Sequence, residues 1–210
     1  MQSIIWDWNG TLLNDLDFCI STINKVLKKR KLNLVTHESY KAVFSFPVKD
    51  YYETIGFDFS KEDFAIPAHE FIDIYNEGVK NCTLHNSVHE VLSYFKEKGI
   101  RQFVLSAMQQ NMLNETLKHQ GIFDYFEGVA GLNDHYATSK IERGEQLISQ
   151  FNINKEKATI IGDTIHDYEV AEQLGTDCIL IADGHQSEER LQSTGVQVIS
   201  ELNDLMKLPL

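Results

Sequence analysis

The chain has 210 residues, 42% hydrophobic and 24% charged, with a formal net charge of −12. That composition fits one sizeable soluble domain, or one domain carrying an insertion, able to bury a real core. The acidic balance argues against nucleic acid as the default partner, and an anionic substrate would need a local cation such as a bound metal.

In chain order, "SIIWDW" (3 to 8) reads as a short buried strand that ends near Asp7, followed by the turn signal Asn9-Gly10. From Leu16 to Lys31 the apolar residues Phe18, Ile20, Ile23, Val26 and Leu27 recur at helical spacing. Residues 37 to 80 hold no convincing β-run, and Phe64, Phe71, Ile72 and Tyr75 predict a long helix before Asn81. The pattern then changes. Helix 88–99, strand 103–107, helix 109–120, strand 128–132 and helix 139–151 follow, then strand 158–163, helix 165–174 and strands 177–182 and 196–200. Strands alternating with helices that close on glycine predict βα units around a parallel sheet. The fold class is therefore α/β, a doubly wound parallel sheet. Residues 1–15 and 82–210 are expected to build its core, with a helical insertion over 16–81.

In such sheets ligands bind beyond the carboxyl ends of the strands. Asp7 and Asn9, Ser106, and Asp163 stand at three such ends, and Lys140 opens the helix before the last. An aspartate there can attack phosphorus and become an aspartyl phosphate. Phosphoryl transfer chiefly needs positioning and charge neutralisation. Asp7, Asp163 and Asp167 are candidate Mg²⁺ ligands. Ser106 and nearby backbone N–H groups would hold phosphoryl oxygens, Lys140 would offset their charge, and Thr11 would fix the turn.

Four ordered segments, "DWNGT" (Asp7 to Thr11), "LSA" (Ser106, Ala107), Lys140 and "IGDTIHD" (Asp163, Asp167), resemble the motifs of the haloacid dehalogenase superfamily. The chain is most similar to the phosphoglycolate phosphatase-like branch with a small helical cap. "VHEVLSYFKEKG", "TLKHQGIFDYFEGV" and "AEQLGTDCILIADG" also read like that branch. The resemblance implies a Rossmann-like core, an inserted cap that selects the substrate, and a Mg²⁺-dependent phosphatase for a small phosphorylated metabolite. It makes Asp7 the nucleophile and a metal ligand, Asp163 a second ligand, and Asp167 an outer ligand. Thr11, Ser106, Ala107 and Lys140 become the phosphate-binding set. At position 9 the family carries an aspartate that protonates the leaving group and then activates water. Asn9 breaks that match. It keeps a backbone carbonyl for the metal but has no proton to deliver, where positioned acid–base catalysis is worth ~10²–10⁴-fold.

Three outcomes follow from Asn9: a slow enzyme or one whose substrate leaves readily, such as an acyl or aryl phosphate; another proton source such as a cap residue or His166; or a near-inactive phosphate binder. A dehalogenase would leave Asp163 surplus. A phosphonatase-like C–P hydrolase would need a cap lysine, with Lys41, Lys49 and Lys61 as candidates. His85 and His89 have i,i+4 spacing without an evident third ligand and read as surface or capping histidines. "KKRK" (28 to 31) reads as a solvated helix end, with attraction of an anionic substrate as a further option. Trp6 is expected in the core and Trp8 toward the cap. Cys19, Cys82 and Cys178 form no CxxC pair and suit a reducing compartment. With no basic leader before a longer apolar run and no run near ~18 apolar residues, the expected location is the cytoplasm, without a membrane.

Overall fold

The computed structural model describes residues 2–132 and 139–208. All four residues of β1 (Ser3–Trp6) are buried, as expected for a strand covered on both faces. It pairs in parallel with β4 (Arg101–Gln109) on one side and β6 (Ala158–Gly162) on the other. Beyond β4 lies β5 (Gly128–Leu132); beyond β6 lie β7 (Asp177–Ile181) and β8 (Gln197–Ile199). The six-stranded order is β5-β4-β1-β6-β7-β8. The chain thus runs outward from β1 in one direction, crosses back to β6, and runs outward in the other.

Right-handed crossovers that travel in opposite directions place their helices on opposite faces. Accordingly α5 (Val88–Glu97) and α6 (Gln110–His119) supply Val91, Leu92, Phe95 and Leu117 to the cluster containing Ile4, Trp6 and Val104. On the other face α7 (Lys140–Phe151) and α8 (Ile165–Leu174) pack Leu147, Ile148, Val170 and Leu174 against Ile5, Phe103 and Ile160. Alternate residues of β1 therefore serve different clusters, the two-residue side-chain period of a strand. A short α9 (Glu188–Gln192), absent from the sequence reading, precedes β8.

The chain leaves the sheet through β2 (Leu13–Asn14) and returns through β3 (Thr83–Leu84), an antiparallel pair. Two residues per strand are too few for a pattern signal, so this pair was not foreseen. Between them lie α1 (Leu16–Lys29), α2 (His37–Val43), α3 (Val48–Thr54) and α4 (Ala65–Gly78). Ile20, Ile23, Val26 and Leu27 form the buried stripe of α1, which packs on α4. Within "KKRK", Arg30 Nε and Nη2 clamp Glu62 at 2.6 and 2.9 Å, and Nη1 reaches Glu70 at 3.0 Å. Lys29 meets Glu70 at 3.3 Å. These cations tie the end of α1 to α4 and to the segment before it, and line no part of the cavity beside Asp7.

Trp8 is as fully buried as Trp6. Its indole is fully buried in the same cluster as Leu12, Leu13 and Ile23 and does not reach the cleft. By residue 8 the strand has ended: Leu12 and Leu13 both donate to the Trp8 carbonyl, so strand alternation no longer governs the side chain. Among the described residues no helix is long and apolar enough to cross a membrane.

Candidate active site

Asp7 lies one residue beyond β1, with its N–H bonded to the Ile161 carbonyl of β6 at 2.8 Å. The next four residues fold back tightly, and Gly10 takes φ +76°, a conformation costly for residues with a side chain. The turn brings Thr11 beneath the carboxylates. Its hydroxyl lies 3.1 Å from Asp163 Oδ1 and 3.5 Å from Asp7 Oδ2, so it braces acids and does not itself line the cleft.

Asp163 follows β6 and is fully buried. Its Oδ2 accepts the backbone N–H of His185 at 2.6 Å. Gly10 and Gly184 press their backbones against this carboxylate so closely that a Cβ on either would collide with it. Asp167, in the first turn of α8, takes part in a capping box: its Oδ2 accepts from Thr164 N at 3.0 Å and Thr164 Oγ1 at 2.7 Å. Its other oxygen faces Lys140. That lysine, the first residue of α7, is buried and donates to Asp7 at 2.5 Å and Asp167 at 2.6 Å. Asp167 is therefore both a helix-start acid and a member of the cluster.

Ligand oxygens of Asp7, Asp163 and Asp167 lie within 4.8 Å of one another. Burial, with the neighbouring carboxylates, raises the pKa of Asp7 against the pull of Lys140; burial likewise raises Asp163. Asp167 is also buried, but Lys140 and Thr164 hold it below the usual range. Buried oxygens so short of positive charge suit a hard divalent cation. The residues present fit the metal that the fold implies.

Asn9 lies at the cleft with its amide oriented from below. Its Nδ2 donates to Asp15 Oδ2 at 2.9 Å and to Tyr75 Oη at 2.7 Å, while Oδ1 lies 3.5 Å from Ser106 Oγ. Asp15 precedes α1 but does not cap it. Instead it accepts from Gly10 N at 2.9 Å and Tyr75 Oη at 2.5 Å, and lies 3.2 Å from His185 Nε2. Burial opposes the Asp15 charge, but His185, Tyr75 and Asn9 more than offset this and lower its pKa. Burial likewise opposes a charged His185, yet Asp15 and Asp163 lift it to about 9. At neutral pH both ring nitrogens then donate, one to Asp15 and one to Tyr40 Oη at 3.1 Å.

Ser106 and Ala107 line the cleft where the β4–β5 register shifts between Leu105 and Gln109. Ser106 Oγ accepts from Met108 N at 3.0 Å. Asp15, Tyr75, Gly184 and His185 were missed by sequence reasoning. His185 follows β7, so the rule of polar residues beyond strand ends could have found it; Tyr75 had no such signal. His166 lines the cleft, stacked on Phe46 at 4.7 Å. His85 is buried beside Asp183 at 3.1 Å, against the surface reading, while His89 is exposed. Among the described residues neither histidine joins a metal-ligating cluster. Lys41 donates to the Ala182 carbonyl, Lys61 pairs with Asp58 and Lys49 lies over Phe59; none lines the cleft.

Fold and rim define a doubly wound α/β protein whose acidic centre lies at the strand ends under a helical segment. Residues 4–181 match the family model of haloacid dehalogenase-like hydrolases, and the chain belongs to that family. It is 22% identical over 200 residues to the tyrosine-protein kinase PtkA of Mycobacterium tuberculosis, covering 95% of this chain and 68% of that one. It is 22% identical over 212 residues to the pyrophosphatase PpaX of Anoxybacillus flavithermus, covering 99% and 96%. A Haemophilus somnus structure described as a predicted phosphoglycolate phosphatase superposes with a TM-score of 0.79 at 18% identity, covering 99% and 97%. At that identity the likeness speaks for the fold.

Proposed function

We propose that this hydrolase is a Mg²⁺-dependent phosphatase that cleaves a small phosphorylated metabolite through an aspartyl phosphate on Asp7. The observation that carries the reading is Asp7 itself, at the end of the central strand, beside Lys140 and clustered with Asp163 and Asp167. The names of PtkA and PpaX both describe phosphoryl chemistry, which supports the class of reaction.

Asp7, Asp163 and the Asn9 carbonyl would hold the metal, with Asp167 as an outer partner; when bound, it neutralises the phosphoryl oxygens and orients phosphorus toward the nucleophile. Asp7 attacks phosphorus, and the ester oxygen leaves with its electron pair. Lys140 and donors at Ser106 and Ala107 stabilise the charge on the phosphoryl group. Water then attacks the aspartyl phosphate and frees Asp7. Residues 16–81 act as the cap, excluding water and selecting the leaving group. Three free cysteines support a cytoplasmic setting.

Asn9 cannot supply the proton, and its amide hydrogens are already committed to Asp15 and Tyr75. A phosphonatase-like C–P hydrolase lacks support, because Lys41, Lys49 and Lys61 stay outside the cleft. A phosphate binder of little activity is the remaining alternative. Phosphate release from a panel of phosphate esters, with and without Mg²⁺, tests the proposal. Turnover is expected to require Mg²⁺ and to fall at least ~10³-fold in Asp7→Asn, since the nucleophile is lost. Unchanged turnover in that variant would sink the mechanism.

A further inference from the structure

The cleft between the acidic centre and the helical segment encloses about 250 Å³. Among the described residues, none that the segment contributes to its wall is charged. Much of the wall is aromatic, with Tyr40, Phe44, Phe46, Tyr51, Phe71 and Tyr75. These rings hold one another in place. Tyr40 stacks on Phe44 at 5.0 Å, Tyr51 meets Phe44 edge-on at 5.2 Å, and Phe71 stacks on Tyr75 at 5.8 Å.

An aromatic helical interior is often only core. Here Phe44, Phe46 and Phe71 remain half-buried at the cleft, presenting apolar surface that a ligand can cover. The volume lies below the ~300–1,000 Å³ typical of pockets for drug-sized ligands, which fits a compact leaving group. A leaving group with a second negative charge finds no cation on this wall, and His185 on the opposite side is committed to Asp15 and Tyr40.

Asn9 selects by a different route. Without a donated proton, departure depends on how well the leaving oxygen carries charge. A phenolate forms near the tyrosine pKa of ~10, whereas an alkoxide is about as basic as hydroxide, whose parent water has a pKa of ~15.7. We infer that the substrate is a small aryl phosphate, its uncharged ring held by the aromatic wall and its phosphoryl group over Asp7. This inference rests on the phosphatase reading above.

The P–O bond to the ring breaks as Asp7 oxygen bonds phosphorus, and the electron pair leaves on the phenolate. Water then displaces the Asp7 carboxylate from phosphorus. The phosphate product retains one proton of that water, and the phenolate receives the other through solvent. The net change is aryl phosphate dianion plus water to phenol plus hydrogen phosphate.

The test uses the full chain with Mg²⁺ and four probes: phenyl phosphate, cyclohexyl phosphate, acetyl phosphate and phosphoglycolate. Phenyl phosphate is expected to give the lowest KM of the four, and a kcat/KM exceeding that for cyclohexyl phosphate by at least ~100-fold because the proton donor is missing. Phe71→Leu and Phe46→Leu, each checked by thermal unfolding, are expected to raise KM for phenyl phosphate several-fold and leave that for acetyl phosphate little changed. A lower KM for acetyl phosphate or phosphoglycolate would overturn the aryl assignment while preserving the phosphatase. Equal KM changes for phenyl and acetyl phosphate in both folded variants would also overturn it. No Mg²⁺- and Asp7-dependent release from any probe would defeat both readings.

Discussion

The two sides of the cleft are built to opposite rules. The side formed by the strand ends carries Asp7, Asp15, Asp163 and Asp167 against Lys140 and His185. The facing helical side is uncharged and rich in aromatic rings. The first arrangement suits phosphoryl chemistry; the second suits choice of leaving group. Asn9 lies where they meet, bonded to Asp15 on one side and Tyr75 on the other. The protein is a hydrolase of the haloacid dehalogenase-like family, and this boundary residue is where its sequence departs from the family pattern.

The largest expected effect belongs to the acidic side. Gly184→Ala should lower kcat/KM by ~100-fold or more for every substrate, because misplacing catalytic groups by about 1 Å has such costs. The added Cβ would push directly on Asp163. Wild-type kcat/KM in a folded Gly184→Ala protein would show that this contact does not position the carboxylate.

A smaller effect should follow a single change at the boundary. Asn9→Asp puts a second carboxylate against Asp15, and two acids so close tend to share one proton. Because His185 keeps Asp15 charged, that proton is drawn into the pair and away from the leaving group. The single variant should gain less than ~10-fold, whereas Asn9→Asp combined with Asp15→Asn should gain ~10²-fold or more on an alkyl phosphate. A full gain from the single change would mean that Asp15 does not restrain residue 9.

The smallest effect lies outside the cleft. Lys29→Ala should change unfolding free energy by less than ~0.5 kcal/mol, as expected for an exposed ion pair, and leave kinetics unaltered. A tenfold change in KM would restore the view of "KKRK" as an anion attractor.

These contrasts also explain what the sequence could reveal. β1, β6 and the βα alternation were legible because burial on both faces leaves continuous apolar runs. Asp7, Ser106 and Asp163 could be placed on one rim because polar residues stand at the strand ends. Thr11 was legible as a turn residue, but not its brace across to Asp163. Tyr75 meets Asp15 from 60 residues away, and His185 does so from 170. No local period encodes such contacts. The aromatic side was visible as a helical block, but which rings face the cleft depends on how four helices pack.

The crowding around Asp163 also has a thermodynamic side. Folding must bury Asp7, Asp163 and Asp167 together with too few positive groups, and glycine backbones close them in. This acidic centre is therefore a liability to the fold that carries it. A cation that binds this cluster only in the folded chain acts as a folding partner, and unfolding temperature should rise with its concentration. Stability then becomes a reporter of occupancy, readable even before the natural substrate is in hand.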